Sequence, residues 1–174
     1  NFNVSLQKES LSSTRAKFVL ESDTQIIAEN LTSPFIRNVY DGSRWNVSLR
    51  VRRANSEPFV SSSSNTYEAI FSGYSYIQEH QVESFYLTCS ISQEKYDLFN
   101  DSNKTVFVGA SRENITGSTL KKSDVKVINF GIWDQSLTTE ELKSRALSPL
   151  VYGTTRPHLG RNSGLSSDYY SSAL

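Results

Sequence analysis

Apolar and polar residues alternate along several stretches of this chain, which is the pattern of strands with one face in a core. The clearest stretch is 45–52, where Trp, Val, Leu and Val alternate with Asn, Ser, Arg and Arg. Successive side chains of a strand point to opposite faces, so the apolar set faces inward and the polar set outward. The turn-forming pair Asp41-Gly42 precedes this stretch. We therefore predict a half-buried strand over 45–52.

Other stretches alternate in the same way. Residues 84–91 place Phe85, Leu87, Cys89 and Ile91 on one face. Gly73 is consistent with a β-bulge in its own stretch. Many short strands separated by polar turns favour an all-β fold, an antiparallel sandwich of two sheets. Besides 45–52, the predicted strands are residues 17–20, 25–28, 67–76, 84–91, 105–110 and 124–133.

One short helix is predicted near the C-terminal end. Thr138 is a favourable N-cap, and Glu141 three residues later completes a capping box. Leu137 and Leu142 occupy the two positions of a hydrophobic staple around that cap. The helix is predicted over 139–147, because a proline follows shortly after.

The overall composition limits the classes of partner. Lys and Arg total 18 and Asp and Glu total 18, so no long-range field attracts nucleic acid. Cys89 is the only cysteine, which excludes an intrachain disulfide or a cysteine-based zinc site and favours folding in a reducing compartment. No apolar run reaches the length of a membrane-spanning helix, so we expect no membrane insertion.

The length of 174 residues fits one domain. Residues 161–174 are rich in Ser, Gly and Tyr and have no core pattern. We predict a sandwich domain over 1–160 and an extended C-terminal arm or linker over 161–174. Because the polar start at Asn1 has neither Met nor a signal-peptide pattern, we expect a domain within a longer polypeptide.

This chain resembles laminin-G-like domains of the concanavalin A-like class, most clearly in its last predicted strand and short helix. Their last strand often carries a Trp, followed by Leu, Ser or Thr, and a Glu-Glu pair at the start of a short helix, as residues 124–142 do here. Residues 45–49 and 105–109 resemble two further strands of the family. The resemblance covers residues 15–155 and implies a jelly-roll sandwich.

A narrower resemblance suggests a function. Residues 108–117, 123–127, Trp133 and 152–158 are similar to laminin-G-like modules in large virion proteins of marine tailed phages. This similarity implies a non-catalytic structural or interaction module of a virion, in a tail, a fibre or the capsid surface. The implied partners are other virion subunits or copies of the same chain, with host-surface adhesion as an added role.

Calcium is left open by the same resemblance. Laminin-G relatives often hold a calcium ion near one rim of the sandwich, but no ligand set maps onto this sequence, so no metal site and no cofactor are assigned. Asp41, Asp101 and Asp124 lie near predicted turns. Turn capping is the simpler role for aspartates in such positions.

Four residues are candidates for a ligand or interface surface. Tyr86 falls opposite the apolar face of its predicted strand, and Tyr74 and Tyr76 share parity with each other. On a sheet face outside the core, tyrosine rings stack on sugars, pack against a subunit or simply cover the sheet. Arg112 is the fourth, because its guanidinium can engage a partner's carboxylates. The alternative function is therefore a carbohydrate-binding lectin module of an extracellular adhesin that binds cell-surface glycans. Arginine side chains on the polar sheet face are otherwise predicted to be solvated: Arg50, Arg52, Arg53 and Arg112.

No catalytic site is predicted, so we expect that the protein is not an enzyme. Glycoside hydrolysis needs two carboxylates on either side of the scissile bond, and the sequence lacks the Glu-x-Asp-x-x-Glu string of concanavalin-type hydrolases. Glu140 and Glu141 suit the N-terminus of the predicted helix. Glu94 and Asp97 flank an apparent loop.

Asn-x-Ser/Thr sequons support an extracellular location as the alternative to the virion. Glycosylation at such sites requires a secretory route. A chain this rich in Ser and Thr also produces sequons by chance. The sequons begin at Asn3, Asn30, Asn46, Asn100, Asn103 and Asn114.

Overall fold

The alternating stretches 45–52 and 84–91 lie in strands of the folded chain. A computed structural model describes residues 2–22, 26–27, 29–37, 39–54, 66–101, 107–112, 117–122, 126–133 and 136–148. Within these residues the protein is mostly β, with two antiparallel three-stranded sheets, a two-stranded sheet and two short helices.

The first sheet contains strands β1 (Phe2–Lys8), β2 (Ala16–Ser22) and β3 (Leu31–Thr32), in that order. Strand β2 is central and antiparallel to both neighbours. Its inward side chains include Phe18 and Leu20, which are buried. Strand β2 contains the predicted stretch 17–20, whereas β1 and β3 were not predicted.

The second sheet contains strands β4 (Trp45–Arg53), β5 (Tyr67–Ile77) and β6 (His80–Ile91), with β5 in the centre. The three predicted strands in this region are thereby confirmed. Strands β5 and β6 form a hairpin whose turn is Gln78-Glu79. Both turn residues have positive φ, 47° and 69°.

The main core lies where side chains of the two sheets meet. Phe18 of β2 stacks on Phe85 of β6 with 5.1 Å between ring centroids, and Trp45 of β4 lies 5.0 Å from Phe18. Residues 69–72 of β5 are fully buried, so the central strand is covered on both faces. Burial of large aromatic rings is the main source of stability in such a core.

Helix α1 (Gln93–Asp101) packs at one end of this core. Tyr96 stacks on Tyr67 of β5 with 3.7 Å between centroids, and Phe99 contacts Phe2 of β1 edge-on at 5.5 Å. The helix therefore contacts both sheets. The prediction of a single helix was wrong, because Glu94 and Asp97 belong to this helix and do not flank a loop.

Helix α2 (Thr139–Leu147) has the predicted bounds and the predicted cap. The Glu141 N–H donates to Thr138 Oγ1 at 3.2 Å, and the Thr138 N–H donates to Glu141 Oε2 at 2.8 Å. Leu137 and Leu142, the predicted staple pair, are both buried in one cluster.

Three strand predictions were wrong for the residues that the structure describes. Residues 26–27, 107–109 and 126–133 are not in strands, and the third sheet instead pairs β7 (Ala110–Arg112) with β8 (Thr119–Lys122). Alternation predicts the conformation that suits a pleated sheet, but a strand also requires a hydrogen-bonding neighbour. The predicted arm, 161–174, lies outside the described residues.

The predicted bulge was also misplaced. Along β5 the register shifts between Ser75 and Tyr76, and Gly73 is paired regularly with Phe85. At Gly73 a Cβ atom would lie 2.7 Å from Phe85 Cζ and closer still to Cε1. Glycine is therefore required here for the close approach of an aromatic ring, not for a bulge.

Candidate functional site

The side of the second sheet that faces away from the main core, here called the outer face, carries the predicted tyrosines. Along β5, Tyr74 and Tyr76 have the parity opposite to Phe71, which lies in the main core. On β6, Tyr86 pairs with Ser72, which shares that parity. The structure thus places the three tyrosines on one sheet face, and Tyr74 and Tyr76 share parity as expected.

Helix α2 covers part of the outer face, so the three tyrosines differ in exposure. Tyr74 is 5% exposed and forms a second buried cluster with Leu137, Leu142 and Ala146. Tyr76 is half-buried against that cluster, and its hydroxyl donates to Gln81 Oε1 at 3.3 Å. Tyr86, by contrast, is 49% exposed. Of the three rings, that of Tyr86 is the most accessible to a ligand.

Arg50 lies between the outer face and α2. Its guanidinium donates to the Leu137 carbonyl at 2.8 Å and to Thr139 Oγ1 at 3.5 Å. The side chain is 6% exposed, and its Cζ lies 5.9 Å from the centroid of the Tyr86 ring. The prediction that Arg50 is solvated was therefore wrong, because α2 covers it. Arg52, two residues on, remains partly exposed and pairs with Glu68 at 2.6 Å.

A second arginine holds the other end of α2. Arg44, just before β4, donates through Nη2 to the carbonyls of Ala146 at 2.8 Å and Leu147 at 2.6 Å. The last carbonyls of a helix have no partner within it and carry partial negative charge, so a guanidinium stabilises them. Arg44 and Arg50 together fix both ends of α2 against the second sheet.

A run of exposed apolar residues lies just before α2. We call residues 126–132 the apolar segment. Ile128, Phe130 and Ile132 are 62%, 55% and 72% exposed, and Val127 is 45% exposed. The segment belongs to no strand of the described structure. Exposed apolar side chains of this size so close together are uncommon on soluble domains and mark interaction surfaces.

The end of this segment is attached to the body of the protein by Trp133. The Arg145 guanidinium of α2 lies 4.4 Å from the centroid of the Trp133 ring, a cation–π contact. Burial lowers the pKa of Arg145 below its ordinary value, although the group remains charged at neutral pH. Trp133 is half-buried against the cluster of Tyr74 and Leu142. The apolar segment therefore ends directly at a residue that is packed against α2.

The remaining predicted positions are Arg112 and the three aspartates near turns. Arg112 ends β7, and its side chain lies outside the description. Asp41 caps a turn: the Ser43 N–H donates to Asp41 Oδ1 at 2.7 Å, which lowers the pKa of the carboxyl. Asp101 is exposed at the end of α1, and Asp124 lies outside the described residues. In the described part of the chain no group of three His, Cys, Asp or Glu residues could hold a metal ion.

The carboxylates considered for catalysis make local contacts. Asp97 accepts a hydrogen bond from Gln93 Nε2 at 2.6 Å within α1. Glu140 lies 3.6 Å from Lys143, and Glu141 belongs to the capping box. Each of these three acids stabilises a helix.

The apolar segment is the feature that sequence reasoning missed as a site. Its alternation of apolar and polar residues predicts a strand with one face in the core. The exposure of its apolar side chains was therefore not expected. The sequence matches no protein-family model and no curated protein, and the structure matches no solved structure. No helix in the described part of the chain is long and apolar enough to cross a membrane.

Proposed function

We propose that this protein is a non-catalytic interaction module that assembles with neighbouring protein subunits through the apolar segment. The observation that carries the proposal is the exposure of Ile128, Phe130 and Ile132, which directly precede Trp133, a residue packed against the cluster under α2. Exposing these side chains to water costs free energy, roughly 25 cal/mol per Å² of apolar surface, which a protein partner recovers on association.

The assembly that we propose is the virion of a tailed phage, in a tail, a fibre or the capsid surface. The support for this location is the resemblance of residues 108–117, 123–127 and 152–158 to virion modules. A jelly-roll sandwich is the finer form of the fold that we propose, and the shared core of the two three-stranded sheets supports it.

A lectin is the second candidate, and the exposed ring of Tyr86 favours it. Polar side chains at Ser84, Thr88 and Ser90 lie on the same exposed face of β6, and sugar-binding surfaces combine an aromatic ring with hydrogen-bonding groups. We rank this function second because Tyr74 is covered by α2, which leaves a smaller aromatic platform than the sequence predicts.

Hydroxyl-radical footprinting tests the first candidate. The protein is oxidised once in its native assembly and once as the isolated chain, and oxidation is compared at Phe130 and Tyr86. Both rings are exposed in the isolated chain, at 55% and 49%. The oxidation of one ring can therefore be compared with that of the other in the same sample. We expect assembly to protect Phe130. Equal oxidation of Phe130 in the two samples would contradict the proposal.

A glycan array tests the second candidate. The isolated domain and its Tyr86→Ala variant are applied with and without calcium. We expect no binding above background. Binding that Tyr86→Ala abolishes would reverse the ranking of the two functions, whether or not it requires calcium.

A further inference from the structure

The exposure along the apolar segment differs between its two faces. The even-numbered apolar residues, Ile128, Phe130 and Ile132, are each more than half exposed, whereas Gly131 and Trp133 are half-buried. At Gly131 a Cβ atom would lie 2.5 Å from the Trp133 ring and 3.0 Å from Arg145 Nη2. The odd-numbered positions nearest Trp133 are therefore packed against their own chain, whereas the even-numbered apolar side chains, and Val127 and Asn129 nearer the start of the segment, are turned to solvent.

The sequence of this segment is complementary to itself in one antiparallel register. If two copies pair about a twofold axis at Phe130, the two Phe130 side chains face each other and Ile128 faces Ile132. The same register sets Lys126 opposite Asp134, a pair of opposite charge. Cross-strand pairs of aromatic, β-branched and oppositely charged residues each stabilise an antiparallel ladder.

Neighbouring registers lose this complementarity. An axis at Asn129 sets Lys126 opposite Ile132, and an axis at Gly131 sets Ile128 opposite Asp134. Each of these arrangements places a charged group against an apolar side chain, which carries a desolvation cost. Only the axis at Phe130 pairs apolar with apolar and positive with negative.

We infer that the apolar segment pairs as an antiparallel strand with the same segment of a second copy of this chain, about a twofold axis at Phe130. The inference rests on the proposed function and names the partner. A twofold contact uses the same surface on both subunits, so a self-complementary sequence is what it requires. The pairing also gives residues 126–132 the hydrogen-bonded neighbouring strand that a strand requires.

Cysteine trapping tests both the pairing and its register. In a Cys89→Ala background, Phe130→Cys and Ile132→Cys are prepared separately and oxidised mildly, and dimers are counted by intact mass. The two thiols introduced by Phe130→Cys would face each other in the pair. Two copies of residue 132 would stand four residue steps apart, ~13 Å along the strands, too far for a disulfide.

We expect the Phe130→Cys variant to form disulfide dimers at least about tenfold faster than Ile132→Cys, since only the former pair lies within disulfide distance. Equal rates would overturn the register, and no dimer from either variant would overturn the pairing.

Sedimentation of the natural sequence gives a second measurement that needs no cysteine. We expect concentration-dependent dimerisation that Phe130→Asp weakens at least about tenfold, because it places like charges opposite each other, and that Tyr86→Asp leaves unchanged. A strictly monomeric chain would overturn the inference. Protection of Phe130 in the native assembly would then still support the proposed function with a different partner, whereas exposure of Phe130 there contradicts both.

Discussion

Replacing Arg50 by Met tests how α2 is held on the outer face, and Arg52→Met is its matched control. The two arginines lie on the same strand and the same face. Arg50 is 6% exposed and donates to the Leu137 carbonyl at 2.8 Å. Arg52 pairs with Glu68, and their side chains are 40% and 20% exposed. Methionine retains most of the aliphatic volume in both cases, so the difference between the variants reports on the polar contacts.

The expected losses of unfolding free energy follow from burial. A hydrogen bond from a charged donor contributes about 1.5–3 kcal/mol, and removing the donor leaves the Leu137 carbonyl unpaired. Removal of the buried charge recovers part of its desolvation cost. We therefore expect Arg50→Met to cost about 2 kcal/mol, whereas the partly exposed pair of Arg52 contributes at most about 1 kcal/mol.

Urea unfolding and amide hydrogen exchange measure the two effects. Urea gives the change in unfolding free energy, and exchange shows where protection is lost. We expect Arg50→Met to speed exchange in α2 selectively, and Arg52→Met to leave α2 protected. Equal losses in the two variants, or unchanged exchange in α2 after Arg50→Met, would refute the role assigned to the buried guanidinium.

Three further predictions concern the second sheet. Gly73→Ala should lower the unfolding free energy by about 1–3 kcal/mol, because a Cβ atom would overlap the Phe85 ring, and Phe85→Leu in the same chain should recover part of that loss in urea unfolding. Replacing Gln78-Glu79 by Asn-Gly should raise the unfolding temperature, because these residues adopt positive φ with less strain, about 1 kcal/mol in all; a lowered temperature would contradict this. Burial raises the pKa of Cys89 above its ordinary value of 9.0, so the unfolded chain ionises first; stability that is complete below pH 9.0 is lost as the pH rises through the folded pKa. Cys89→Ala should make the alkaline decline shallower in urea titrations, and identical declines would contradict the assignment.

Local patterns were sufficient for α2 and for the second sheet. The capping box needs only Thr138 and Glu141, which are three residues apart and bond to each other in the folded chain. The alternation of residues 84–91 likewise places Phe85 and Ile91 in the core and leaves Tyr86 exposed. Such features depend on residues that are close together in the sequence, so they can be predicted from the sequence alone.

Helix α1 was missed although its local signal was present. Ser92 Oγ accepts a hydrogen bond from the Lys95 N–H at 3.4 Å, a capping contact, and Tyr96 and Phe99 are spaced three residues apart toward the core. Serine before a polar run is also typical of a turn. The contact of Tyr96 with Tyr67 is the tertiary interaction that favours the helix here.

The covering of the outer face could not be predicted from alternation. Arg50 and Tyr74 have the parity of solvent-facing residues, yet α2 covers both of them. The hydrogen bond from Arg50 to Leu137 spans 87 residues of sequence. Parity therefore predicted which side chains share a face, but not which part of that face a distant helix would cover.

The attachment of α2 by Arg44 and Arg50 has a consequence for the order in which the protein is made. These contacts join the region of β4 to carbonyls that lie 102 and 87 residues later in the chain. The hairpin of β5 and β6 therefore leaves the ribosome well before the helix that shields Tyr74. During this interval the nascent chain presents an uncovered apolar surface, on which chaperones act and aggregation begins. Translation that stops before Thr139 yields a product that retains this surface permanently.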